Sequence, residues 1–85
     1  MSEIMDSKNL EKIESQTFRR LISHLQNRTD VQNIDIMNLA GFCRNCLYKW
    51  VHEAASELNE DFSIEDAQKH IYGMPYDDWK KKFQK

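Results

Sequence analysis

Apolar positions recur at steps of three and four along the whole chain, the signature of helices that each turn one face inward. Leu10, Ile13, Thr17, Leu21 and Leu25, flanked by Phe18 and Ile22, form one such stripe, with Lys8, Glu11, Lys12, Ser15 and Arg19 opposite it. This predicts a first helix over about 7–27. Asn27-Arg28-Thr29-Asp30 interrupts the pattern, and Thr29 or Asp30 is suited to cap a short helical turn over 31–35. A denser stripe follows in Leu39, Phe42, Cys43, Cys46, Leu47, Trp50, Val51, Ala54 and Leu58, predicting one long central helix over about 36–59. Gly41 falls inside it, where close approach of another backbone is the expected return for its cost. Ser63 ahead of Ile64-Glu65-Asp66 is a helix-start signal, and Gly73 suits the left-handed residue after a helix end, giving a helix over 63–72. Pro75, Asp77 and Asp78 then open a last helix over 75–84, with Tyr76, Trp79 and Phe83 as its apolar stripe. The expected fold is all-α, a small compact bundle of four to five helices.

Length narrows this to one domain. With 85 residues, 40% hydrophobic and 31% charged, residues 7–85 make a single helical domain behind a flexible tail over 1–6. A core this small is marginal, so well-packed aromatics, a metal or a partner subunit is expected to supplement it. Two Trp, three Tyr and four Phe supply part of that need, and a surplus apolar face would favour a homo-oligomer, most simply a dimer. The net charge of -2, with both signs interspersed, gives no general attraction to nucleic acid or to anionic membranes. The run Lys80-Lys81-Lys82 reads as complement to a helix dipole and a solvated face. No stretch approaches the roughly 20 apolar residues of a membrane span. The opening residues lack the basic and apolar regions of a signal peptide, which sets the expected location as the cytoplasm.

Chemistry centres on one pair. Cys43 and Cys46 have the C-x2-C spacing of zinc ligands, but a structural zinc site takes four ligands and no second cysteine pair exists. His24, His52 and His70 are the candidates to complete it. Read as a redox dithiol, Cys43 would be activated by Arg44 or a helix start, with Cys46 resolving. Residues three apart on a regular helix hold their Cβ atoms about 5 to 6 Å apart, however, against about 3.5 to 4.5 Å in a disulfide. Both thiols also lie on the apolar stripe, and buried cysteine commonly packs as a small hydrophobe, so structural thiols without a cofactor are the leading expectation. His52-Glu53-Ala54-Ala55-Ser56 starts like a zinc-protease helix but has Ser56 in place of the second histidine. Glycine-rich phosphate loops and nucleophile elbows are absent from the sequence, so an enzyme is not expected.

Three blocks carry a resemblance: Asp30-Val31-Gln32-Asn33-Ile34-Asp35, then Leu39-Ala40-Gly41-Phe42-Cys43-Arg44-Asn45-Cys46-Leu47, and finally Tyr72-Gly73-Met74-Pro75-Tyr76 with Trp79-Lys80. Together they resemble domain-of-unknown-function family 1244, a family of short bacterial proteins, from the first helix onward. The resemblance implies a bacterial origin and a compact helical fold. It brings no activity, substrate or cofactor, and assigns no role to these residues. The sequence therefore points to a small cytosolic interaction or accessory module that self-associates. The alternative is a zinc-binding or dithiol protein using Cys43 and Cys46.

Overall fold

A computed structural model describes residues 6–85; the first five, where most of the predicted tail falls, lie outside the described residues. Five helices follow in order: α1 (Ser7–Asn27), α2 (Asn33–Ala40), α3 (Arg44–Glu57), α4 (Ile64–Tyr72) and α5 (Tyr76–Phe83). No strand occurs among the described residues. The fold is all-α, with α4 at its centre between α1, α3 and α5. Its core joins Ile22 of α1, Leu47 and Tyr48 of α3, Ala67, Ile71 and Tyr72 of α4, and Trp79 of α5. Phe18, Leu25, Phe42, Val51, Phe62, Met74, Tyr76 and Phe83 pack around these residues, half-buried.

The ends of α4 follow directly from sequence. Ser63 Oγ accepts from the Asp66 N–H at 3.0 Å, satisfying one of the free donors of the first turn. Gly73 closes the helix at φ +75, where a side chain would strain the backbone, and its N–H donates to the Lys69 carbonyl. The far end is also held from outside, because Gln26 Nε2 donates to the carbonyls of His70 and Ile71. A Cβ at Gly73 would lie 3.2 Å from that Gln26 amide. Pro75 serves as the N-cap of α5, one place earlier than predicted.

The predicted central helix is two helices. Gly41 adopts φ +79 and donates its N–H to the Met37 carbonyl, which ends α2 at Ala40. Cys43 is then an extended N-cap at φ -145 and ψ -176, and α3 starts at Arg44. Nothing lies within 4 Å of a Cβ built on Gly41, so this glycine serves its backbone angle and not the close contact expected of it. The predicted turn over 31–35 is absorbed, from Asn33 onward, into the start of α2.

The predicted α1 stripe is buried only where it meets the core. Ile22 is buried and Phe18 and Leu25 half-buried, while every residue from Ser7 to Thr17 is exposed. At about 1.5 Å per residue, 21 residues extend roughly 31 Å, and α1 carries its first half past α4. The radius of gyration is 14.8 Å, against about 12 Å for a fully compact chain of this length. A compact core thus bears a projecting helix.

The two glycines should respond differently to alanine. Each substitution forces a side chain into the left-handed region at about 1 to 2 kcal/mol, but Gly73→Ala also presses at 3.2 Å on the Gln26 amide that donates to two carbonyls. Urea unfolding should show Gly73→Ala to be the more destabilising by about 1 kcal/mol; an equal or larger loss for Gly41→Ala would contradict this difference between the two helix ends.

Candidate functional site

The break at Gly41 turns the first residue of α3 inward. Arg44 is 1% exposed, and no carboxylate among the described residues accepts from it. Its Nη1 donates to the Val31 carbonyl at 2.8 Å and to Asn33 Oδ1 at 3.0 Å. Its Nη2 donates to the carbonyls of Arg28 at 2.8 Å and Leu25 at 3.3 Å. Leu25 and Arg28 stand at the end of α1, where aligned peptide dipoles give the helix its negative pole, and each carbonyl also accepts a backbone N–H, from Arg28 and Val31 respectively. The guanidinium thus finds partial negative charge from peptide dipoles. Its carbon lies 5.0 Å from the centroid of the Trp79 ring, a cation–π contact inside the core. Desolvation lowers the Arg44 pKa, against the opposing attraction of Tyr72, Cys43 and Asp30; an arginine nevertheless stays charged.

From Arg44 the polar contacts continue through side chains. Asn33 Nδ2 donates to Tyr72 Oη at 3.0 Å, Tyr72 donates to Asn45 Oδ1 at 2.5 Å, and Asn45 Nδ2 donates to Tyr76 Oη at 3.3 Å. Burial pushes the Tyr72 phenol well above its ordinary pKa, so it holds its proton and remains a donor. The Tyr72 and Tyr76 rings stack with centroids 4.9 Å apart and planes 21° apart, and Tyr72 meets Trp79 at 5.0 Å. Lys80 Nζ covers the Tyr76 ring at 4.8 Å. One network therefore links the end of α1, the starts of α2 and α3, the end of α4 and the start of α5.

A pocket of about 260 Å³ opens beside this network, lined by Gln32, Asn33, Ile34, Asn45, Tyr76, Gln84 and Lys85. The Gln32 amide braces its wall, donating to the Phe83 carbonyl at 2.9 Å and accepting from the Lys85 N–H at 3.0 Å. Sequence reasoning gave Arg44 only a place beside Cys43 and assigned nothing to Asn33, Asn45, Tyr72 or Tyr76 as a group. One signal was present: a positive side chain on the first turn of a helix opposes the helix dipole, so its charge must be used elsewhere.

The thiols occupy unlike places. Cys43 is buried and precedes α3, whereas Cys46 is half-buried on the first turn; both are free. His24 is exposed on α1, and His70 is exposed with its ring edge-on to Phe62. His52 Nδ1 donates to the Phe62 carbonyl at 2.9 Å, which fixes the proton on that nitrogen in the neutral ring. Among the described residues, no group of three or more His, Cys, Asp or Glu side chains is arranged to hold a metal ion.

Residues 31–85 match the model of a family described as "Protein of unknown function (DUF1244)". The chain belongs to this family. No curated protein matches the chain. The DUF1244 match contains Asn33, Arg44, Asn45, Tyr72, Tyr76 and Trp79, so the whole side-chain network lies within it. It starts at Val31, after α1, whose last carbonyls Arg44 caps; the resemblance from the first helix onward is thus matched from the second.

The unequal burial of the two thiols in this DUF1244 chain sets a labelling order. A thiol reagent should modify Cys46 in the native protein and Cys43 only on unfolding, with rates read by mass spectrometry on Cys43→Ser and Cys46→Ser variants. Fast native labelling of Cys43 would contradict its placement.

Proposed function

We propose that this DUF1244 chain is a self-associating interaction module, a small bacterial accessory protein of the cytoplasm rather than an enzyme, and that α1 is its contact surface. The observation that carries this is the apolar line on the projecting helix. Leu10 and Ile13 are each 47% exposed and Leu21 38%, on one face of α1 and away from the core line of Phe18, Ile22 and Leu25. Burying such side chains is worth about 1.5 to 3 kcal/mol each when complete, and the chain alone forgoes the part of it that their exposed surface represents. A helix already marginal in isolation gains its stability from packing an apolar face.

A second copy suits this line. Pairing two α1 helices antiparallel about Thr17 sets Ile13 level with Leu21 of the other copy, and Glu14 level with Arg20. A parallel pair would instead set Arg19 and Arg20 beside their own counterparts. An antiparallel pair has two-fold symmetry, the commonest arrangement of homodimers. No residue of α2 is buried either, and Ile34 and Leu39 are 63% and 90% exposed, so further apolar surface is available to such an assembly. No helix of the described residues is long and apolar enough to cross a membrane, which fits a face meant for protein.

Native mass spectrometry at micromolar concentration should show twice the 10.2 kDa chain mass. Leu10→Glu combined with Ile13→Glu should give monomer with unchanged helical content, because both side chains are solvent-facing in the single chain. A wild-type protein that is wholly monomeric, or a double variant that still dimerises, would overturn the proposal.

A further inference from the structure

Cys43 and Cys46 are not two positions on one regular helix. Gly41 ends α2, and Cys43 stands ahead of α3 as its N-cap in extended backbone, at φ -145 and ψ -176, while Cys46 is the third residue of the helix. The separation of about 5 to 6 Å between Cβ atoms holds for two helical positions, so it does not constrain this pair. An N-cap side chain reaches differently, turning over the first turn toward the N–H groups of the second and third residues. Cys43 makes no such hydrogen bond, which leaves its sulfur uncommitted as a cap. The Phe42 and Trp50 rings meet with centroids 6.1 Å apart, and Trp50 lies one turn beyond Cys46, so the segment entering α3 packs along the face that carries Cys46.

Burial separates the two thiols by access. Cys43 is 6% exposed and Cys46 half-buried, so a reagent from solvent meets Cys46 first. Cys43 needs no access of its own if its partner is Cys46. We propose that the pair is a thiol–disulfide exchange site of the native chain that takes a small-molecule disulfide of the glutathione class, with Cys46 as entry thiol and Cys43 as resolving thiol. This order is the reverse of the one expected from sequence, in which Arg44 activates Cys43 for the first attack. The Cys46 thiolate attacks one sulfur of the incoming disulfide, whose S–S bond breaks, and the first small thiol leaves with the bonding pair. Cys43 then gives its proton to water and attacks the Cys46 sulfur, and the second small thiol leaves as the mixed disulfide breaks. Two electrons pass from the two cysteines to the small disulfide, which becomes two thiols. A helix start suits such exchange, because its positive pole attracts a thiolate.

The test is incubation of the reduced full chain, and of its Cys43→Ser and Cys46→Ser variants, with excess oxidised glutathione, followed by intact mass and peptide mapping without reductant. Wild type should lose two hydrogen atoms and yield a link from Cys43 to Cys46 within one chain, with no lasting adduct. Cys43→Ser should stop at one glutathionyl group on Cys46, and Cys46→Ser should stay unmodified until unfolded. Dithiothreitol should restore the reduced wild-type mass. A wild type that stays reduced, that keeps the glutathionyl group as Cys43→Ser does, or whose disulfide joins two copies would overturn the site. Rapid adduct formation on native Cys46→Ser would overturn the order of the two thiols. The wild-type masses decide the site even if a variant does not fold.

Discussion

Arg44 is the residue on which the arrangement of the other helices depends. Withdrawing a guanidinium from water carries a penalty of several kcal/mol, and a carboxylate is its usual compensation. In this chain the compensation is the end of α1 and the turn behind it, where the carbonyls of Leu25, Arg28 and Val31 converge on the two terminal nitrogens. The Leu25 and Arg28 carbonyls each accept a backbone N–H as well, from Arg28 and Val31, so the guanidinium takes their second lone pairs together with the Val31 carbonyl. It reaches these oxygens only if the start of α3 sits under the end of α1. Trp79 then covers the cation from the α5 side, and Asn33 carries the network onward to Tyr72.

The same solution appears at two other helix ends. Gln26 reaches the last carbonyls of α4, and Gln32 reaches the Phe83 carbonyl at the end of α5. An 85-residue chain has few fully buried apolar side chains to hold five helices in place. Side chains that cap a neighbouring helix do two tasks together, satisfying backbone groups and fixing the angle between elements. They also explain how α2, which buries no residue, keeps its place: its start is tied through Gln32 and Asn33 to α5, α4 and Arg44.

Local rules recovered the elements whose ends are marked by their own residues. The extents of α1 and α4 were legible because Ser63 and Gly73 are strong signals and the first 21-residue run contains no glycine or proline. The split at Gly41 was not, since the apolar stripe runs unbroken from Leu39 to Leu58 and a glycine inside a helix differs from one ending it only in its backbone angles. The α1 stripe was read as core although half of it faces solvent, because periodicity shows that a face is apolar and not what covers it. Cys43 and Cys46 drew attention by their spacing, whereas the residues between them, Arg44 and Asn45, make the network. Their partners lie 11 to 31 positions away in sequence, beyond the reach of any local pattern.

The most direct test of Arg44 as organising residue is the unfolding free energy of Arg44→Lys and Arg44→Met, measured in urea beside wild type. Lysine keeps the charge but lacks the planar fork that reaches four acceptors, and methionine removes the charge and all four hydrogen bonds. Losses of about 2 kcal/mol or more for lysine and about 3 kcal/mol or more for methionine are expected, a large share of the roughly 4 to 13 kcal/mol available to a domain of this size. Stability within about 0.5 kcal/mol of wild type in both variants, the range of an ordinary surface substitution, would contradict the account.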